Sequence, residues 1–242
     1  MTDGLLLIHA FPLDARMWSA QMDRRNVVAP DLPGFGGSPA ADRGVLTMEQ
    51  GAHRCLEALD AAGLDRVVVC GLSMGGYVAF DLWRRAPQRF AGLILANTRA
   101  GADTPEGAEA RRTLAGRLMA EGNFLVESPP PLLSEDPPEG LWDVVKGWIR
   151  DQPAEAIAAA ALGMAERPDS TPDLATIDVP TLVITSDGDL LIPPDVSAPM
   201  ADQIPGAQLA VLPGAGHLSN LEDPTGFSRL LATHLERSGV EP

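Results

Sequence analysis

VVVCGLSMGG, residues 67–76, joins two patterns whose conjunction decides the fold. The unbroken apolar run ending at Cys70 reads as a strand buried on both faces. Directly after it comes Gly71-Leu72-Ser73-Met74-Gly75, the pattern G-x-S-x-G, and then a helical pattern over 74–85 closed by Pro87. A serine in that setting sits on a sharp strand-to-helix turn, in strained backbone, with its hydroxyl projecting from the carboxyl edge of a sheet. Gly71 and Gly75 remove side chains where strand and helix pass closely, and Gly76 extends the clearance. The free N–H groups at the start of the helix favour negative charge at the same point.

Outward from this turn, short apolar runs alternate with longer helical patterns. Strands are expected at 4–9, 26–29, 67–70, 93–96, 181–185 and 208–212. The pattern at 47–62 sets Met48, Ala52, Cys55, Leu56 and Leu59 on one face and stops at Gly63. A last helix at 225–236 carries Phe227, Leu230, Leu231 and Leu235. The class is α/β, a parallel sheet covered by helices. Residues 98–178 break the alternation, with helices expected at 104–121, 139–151 and 153–165 and no strand. Between the first two lies SPPPLLSEDPP (128–138), which proline forces into extended backbone. The expectation is a core of residues 1–97 and 179–242, with 98–178 as a helical cap subdomain.

Composition narrows the function. The 242 residues suit one α/β domain with an insertion, and 45% hydrophobic content excludes a disordered chain. With 33 acidic against 18 basic residues the formal charge is −15, which repels phosphate and argues against nucleic acid as partner. No apolar run is long enough to span a membrane, and the first residues lack the basic start of a signal peptide. Cys55 and Cys70 form no disulfide framework or zinc-ligand pattern. A cytoplasmic protein is expected. There is no G-x-G-x-x-G, no Walker lysine and no HExxH, so no cofactor and no metal are expected.

Ser73 is a weak nucleophile without a base. Of the four histidines, His217 lies in PGAGHL (213–218), a loop following a strand, from which an imidazole can reach the sheet edge. His53 and His234 read as solvated helix positions, and His9 ends the first strand. A carboxylate to orient the imidazole is offered by SDGD (186–189) after the strand at 181–185. Asp187 and Asp189 both qualify; Gly188 permits a tight turn that favours Asp189, leaving Asp187 to cap the turn. The order Ser73, Asp189, His217 is that of the α/β-hydrolases and differs from both protease orders. Oxyanion donors are expected at the backbone N–H groups of Met74 and Phe11.

The sequence resembles the α/β-hydrolase superfamily over essentially its full length. The resemblance is carried by HAFPLDARMW (9–18), APDLPGFGGS (29–38), GLSMGG (71–76), VPTLVITSDGDLLIPP (179–194) and PGAGHLSNLEDP (213–224). It is strongest toward the carboxylesterase and lactonase branch that includes enol-lactone hydrolases. It implies an α/β-hydrolase fold and a serine hydrolase of small to medium esters or lactones, with the acid at Asp189. Enol-lactone hydrolysis, methyl-ester cleavage on a carrier protein and perhydrolysis share the same triad. A receptor or binding protein retaining such a pocket is the alternative from another class, although binding alone needs no triad. Similar proteins begin with an antiparallel hairpin that has no counterpart here, so about six parallel strands are expected, with 26–29 at an edge. Ala10 replaces the usual glycine of the loop after the first strand, a strained choice if that position needs positive φ. In the cap, Leu114, Leu118, Met119, Val145, Ile149, Trp142, Trp148 and Met164 are candidates to line an acyl pocket. Arg99 is a candidate anion contact, followed by Arg111, Arg112 and Arg117.

Overall fold

The computed structural model describes residues 2–241. The chain runs β1 (Asp3–Ile8), β2 (Val27–Val28), α1 (Met48–Ala61), β3 (Arg66–Leu72), α2 (Met74–Arg85) and β4 (Phe90–Ala96). Then follow α3 (Pro105–Glu121), α4 (Leu141–Arg150), α5 (Ala154–Ala165) and β5 (Thr181–Ser186). The short helices α6 (Pro194–Ser197) and α7 (Pro199–Gln203) precede β6 (Gln208–Leu212), α8 (Ser219–Glu222) and α9 (Pro224–Arg237).

Apolar runs without alternation produce a sheet buried on both faces. The six strands form one parallel sheet in the order β2-β1-β3-β4-β5-β6. Residues Leu5 to Ile8, Val67 to Cys70 and Leu93 to Ala96 are buried at its centre. The edges differ: β2 is two half-buried residues, and β6 leaves Leu209 and Val211 exposed. Because β2 lies on one side of β1 and β3 on the other, the loops leaving β1 and β3 diverge and open a crevice at the carboxyl edge. Every loop that matters to the site leaves the sheet at that edge.

Local chemistry fixes the helices. Thr47 Oγ1 accepts from Gln50 N–H at 3.2 Å while Gln50 Oε1 accepts from Thr47 N–H at 3.4 Å, a reciprocal cap on α1. Asp223 Oδ1 accepts from Gly226 N–H at 2.8 Å at the start of α9, where Pro224 is the first helical residue.

The segment 98–178 carries the helices α3, α4 and α5 and no strand among the described residues. Within it α3 packs along α5, and α5 docks on the loop before α1: Leu46 N–H donates to Ala159 O at 3.0 Å. A Cβ on Gly163 would stand 1.6 Å from Leu46 O, so only glycine permits that approach. The stretch 128–138 adds no element to the sheet; Leu132 O accepts from Leu218 N–H at 2.9 Å, tying it to the loop beside His217. Among the described residues no helix is long and apolar enough to cross a membrane.

Candidate active site

Ser73 is the first residue beyond β3 and holds φ 56°, ψ −114°, a conformation that disfavours any side chain. Its surroundings impose it. Ser73 N–H donates to Ala96 O at 3.0 Å, and its carbonyl accepts from Gly76 N–H at 2.9 Å and Thr98 Oγ1 at 2.8 Å. A Cβ on Gly71 would lie 2.3 Å from Gly75 O, and one on Gly75 2.1 Å from Ile8 O. The glycines therefore let strand, turn and helix close around a strained serine. Met74 opens α2, so its N–H has no intrahelical acceptor.

Asp189 and His217 meet directly. His217 Nδ1 lies 2.8 Å from Asp189 Oδ2, both side chains almost fully buried. Oδ1 of Asp189 accepts from Leu191 and Ile192 N–H, each at 2.9 Å. Burial raises the carboxyl's pKa, but His217 and the donors around it outweigh that and leave it below the usual carboxylate value. Asp187 is exposed and accepts from Gly214 N–H at 2.5 Å, holding the turn that leads to His217.

Three residues that the sequence did not single out fasten this pair. Asn97 Nδ2 donates to Asp189 Oδ2 at 2.9 Å and to Ser186 Oγ at 2.7 Å. Ser219 Oγ donates to Asn97 Oδ1 at 2.6 Å. Glu222 accepts from Gly216 N–H at 2.8 Å and from Ser134 N–H and Oγ, joining the His217 loop to the proline-rich stretch. Asn97 did carry a signal, an amide residue immediately after a buried strand, but its partners are 89 to 122 residues away.

Ser73 and His217 line one cavity of about 460 Å³, with Phe11, Tyr77, Arg99, Arg111, Leu114, Met164, Leu191 and Ile192 among its walls. Among the described residues no hydrogen bond joins Ser73 Oγ to His217. Leu125, Ser128, Pro129, Pro130 and Leu132 complete the lining, so much of one wall comes from the connection between α3 and α4 rather than a helix stripe. Trp142 and Trp148 do not line it, contrary to expectation. Helix α4 turns Val145 and Ile149 inward, leaving both tryptophans half-buried against the core on its flanks. Leu118 is likewise core, and Met119 is 62% exposed. A wider surface hollow of about 700 Å³ near His53 shares no residue with this cavity.

The other histidines have different surroundings. His9 is buried; its Nε2 accepts from Leu32 N–H at 3.0 Å and its Nδ1 faces Ala10 O at 3.1 Å, which pins the loop after β1. Burial holds its pKa below the ordinary value. His53 is exposed near Glu49. His234 is not a solvated helix position: it is 2% exposed on the inner face of α9, and burial lowers its pKa to about 4. The concern over Ala10 dissolves, since it is not among the residues with positive φ.

The alpha/beta hydrolase family profile matches residues 5–230. The chain belongs to the α/β-hydrolase family. An esterase from Thermogutta terrifontis superposes on this α/β-hydrolase with a TM-score of 0.92 and 41% identity, covering 98% of this chain and 90% of that one. The enol-lactonase from Burkholderia xenovorans LB400 gives a TM-score of 0.86 at 28% identity, over 98% and 92% of the two chains. The pimeloyl-[acyl-carrier protein] methyl ester esterase of Aromatoleum aromaticum is 31% identical over 94% of this chain and 96% of its own.

Proposed function

We propose that this α/β-hydrolase cleaves carboxylic esters or lactones of small to medium size through an acyl-enzyme on Ser73. The observation that carries the reading is the 2.8 Å contact between His217 Nδ1 and the buried Asp189 Oδ2, with His217 and the strained Ser73 lining one cavity. With Nδ1–H donating to Asp189, the other imidazole nitrogen is free to act as a base. His217 takes the proton of Ser73 Oγ as the hydroxyl attacks the carbonyl carbon; contacts of this kind tighten once substrate is bound. The tetrahedral oxygen accepts from Met74 and Phe11 N–H. His217 then protonates the leaving oxygen, and in a second round it activates the water that releases the acid and restores Ser73.

The similar Thermogutta terrifontis protein is an esterase and the Burkholderia xenovorans one an enol-lactonase, and 460 Å³ is the size of a pocket for a small organic substrate. Residues 98–178 serve in this reading as the cap that shields the acyl-enzyme. The test is turnover of 4-nitrophenyl butyrate. Ser73→Ala should lose about 10⁴-fold or more in kcat with an unchanged circular dichroism spectrum. Retained turnover would overturn the assignment.

A further inference from the structure

In a chain with 33 acidic and 18 basic residues, the cavity beside Ser73 is lined by two arginines and by no aspartate or glutamate. Their charge is only partly neutralised locally. Arg99, Arg111 and Arg167 converge on the single carboxylate of Asp103, whose side chain is 2% exposed. Three cations share one anion.

The three arginines are not equivalent. Arg167 is largely consumed by structure: Nη1 stands 2.9 Å from Asp103, Nη1 and Nη2 donate to Met164 O and Gly101 O, and the guanidinium stacks over the Tyr77 ring at 4.1 Å, leaving only Nε buried without a partner. Arg99 and Arg111 each give one N–H to Asp103 and none to another protein acceptor among the described residues. A guanidinium has five N–H donors, so most remain free, and Arg99 Nε is buried without a partner. Fastening α3 to the core needs one arginine opposite Asp103. Arg99 and Arg111 line the cavity with part-exposed side chains, so their unused N–H groups are open to an anion that enters it.

We infer that the cavity selects esters or lactones carrying a carboxylate, which Arg99 and Arg111 bind while Asp103 and Arg167 hold the two guanidiniums in place. This inference rests on the Ser73 hydrolase reading. The planar guanidinium matches a carboxylate with two parallel hydrogen bonds, which a neutral alkyl terminus cannot return. Arg99 and Arg111 are therefore specificity-determining residues, distinct from the groups that act on the scissile bond.

The experiment compares mono-4-nitrophenyl adipate with 4-nitrophenyl hexanoate, of equal acyl length but ending in a carboxylate or a methyl. The wild type should favour the adipate ester in kcat/KM. Arg111→Gln and Arg99→Gln should each lower the adipate-to-hexanoate ratio by about tenfold or more, while Arg111→Lys, which keeps the charge, retains part of it. Arg112→Gln, on the exposed face of the same helix, should leave the ratio unchanged. Because the readout is a ratio, partial loss of folded protein cannot mimic the result. A ratio unmoved by Arg99→Gln and Arg111→Gln, or moved equally by Arg112→Gln, overturns the inference while leaving the hydrolase reading intact. Failure of the wild type to turn over either ester, with no labelling of Ser73 by a fluorophosphonate, removes both.

Discussion

Asn97 Nδ2 donates to the same oxygen of Asp189, Oδ2, that faces His217 Nδ1. Two donors on one oxygen fix the carboxylate's rotation, and the rotation sets where the imidazole can stand. Asn97 takes φ 44°, a conformation asparagine tolerates better than most residues. Asn97→Gly accepts that backbone and removes the whole side chain, with its bonds to Asp189, Ser186 and Ser219. It should lower kcat by about 10- to 100-fold, the equivalent of a charge-assisted hydrogen bond, with little change in KM. Steady-state kinetics on a neutral ester check this; a loss in KM alone would make Asn97 a structural residue only.

The two aspartates that the sequence offers, with Asp189 favoured, separate by partner. Asp189→Asn removes the charge beside His217 and favours the wrong tautomer, so kcat should fall by about 10⁴-fold. Asp187→Asn touches only the Gly214 turn and should cost less than about tenfold. Parallel kinetics of the two variants decide, and the reverse ranking would transfer the role to Asp187.

The strain at Ser73 has a measurable thermodynamic counterpart. Glycine accepts φ 56° without cost, so Ser73→Gly should abolish turnover and raise unfolding stability by about 1 kcal/mol or more. Chemical denaturation of the variant against wild type reads this directly. A destabilised variant would show that the serine's own contacts outweigh its backbone strain.

Much of this arrangement was legible in the sequence because it is local. Residues 67–76 and 181–189 are apolar strand followed by turn, and the six strands emerged close to their expected bounds, with 26–29 shrinking to the two residues Val27–Val28. What was not legible depends on contacts distant along the chain. Glu222 meets Ser134 across 88 residues. Pro129 and Pro130 wall the cavity, although periodicity directed attention to helix stripes such as Trp142 and Trp148. His234 sits on the stripe face of α9 with Leu231 and Leu235, where helical spacing alone suggested a polar flank.

Glu222 fastens Gly216, the residue before His217, to Ser134 in the proline-rich stretch that walls the cavity further upstream. Glu222→Ala leaves those backbone N–H groups without acceptors and loosens both loop and wall. The expected result is a rise in KM together with a fall in kcat of about tenfold. A variant with unchanged kinetics would show that the proline-rich stretch holds the loop unaided.

His234 imposes an acid limit. Its folded-state pKa, about 4, lies below the unfolded value near 6.5, because burial and the adjacent Arg237 both oppose the charged form. The unfolded chain therefore takes up a proton first, and stability is lost as pH falls from about 6.5 toward 4, by roughly 3 kcal/mol from this residue. His234→Leu should flatten the stability profile across that window. Unfolding curves at pH 7 and pH 4.5 would measure it, and equal pH slopes for the two proteins would rule the effect out.

Intact-protein mass spectrometry after exposure to a fluorophosphonate shows whether Ser73 is the nucleophile and His217 its base. One stoichiometric adduct is expected, mapped to the peptide bearing Ser73, with strongly slowed labelling in His217→Ala. Labelling at another serine, or labelling of Ser73 at an undiminished rate without the imidazole, would contradict that assignment.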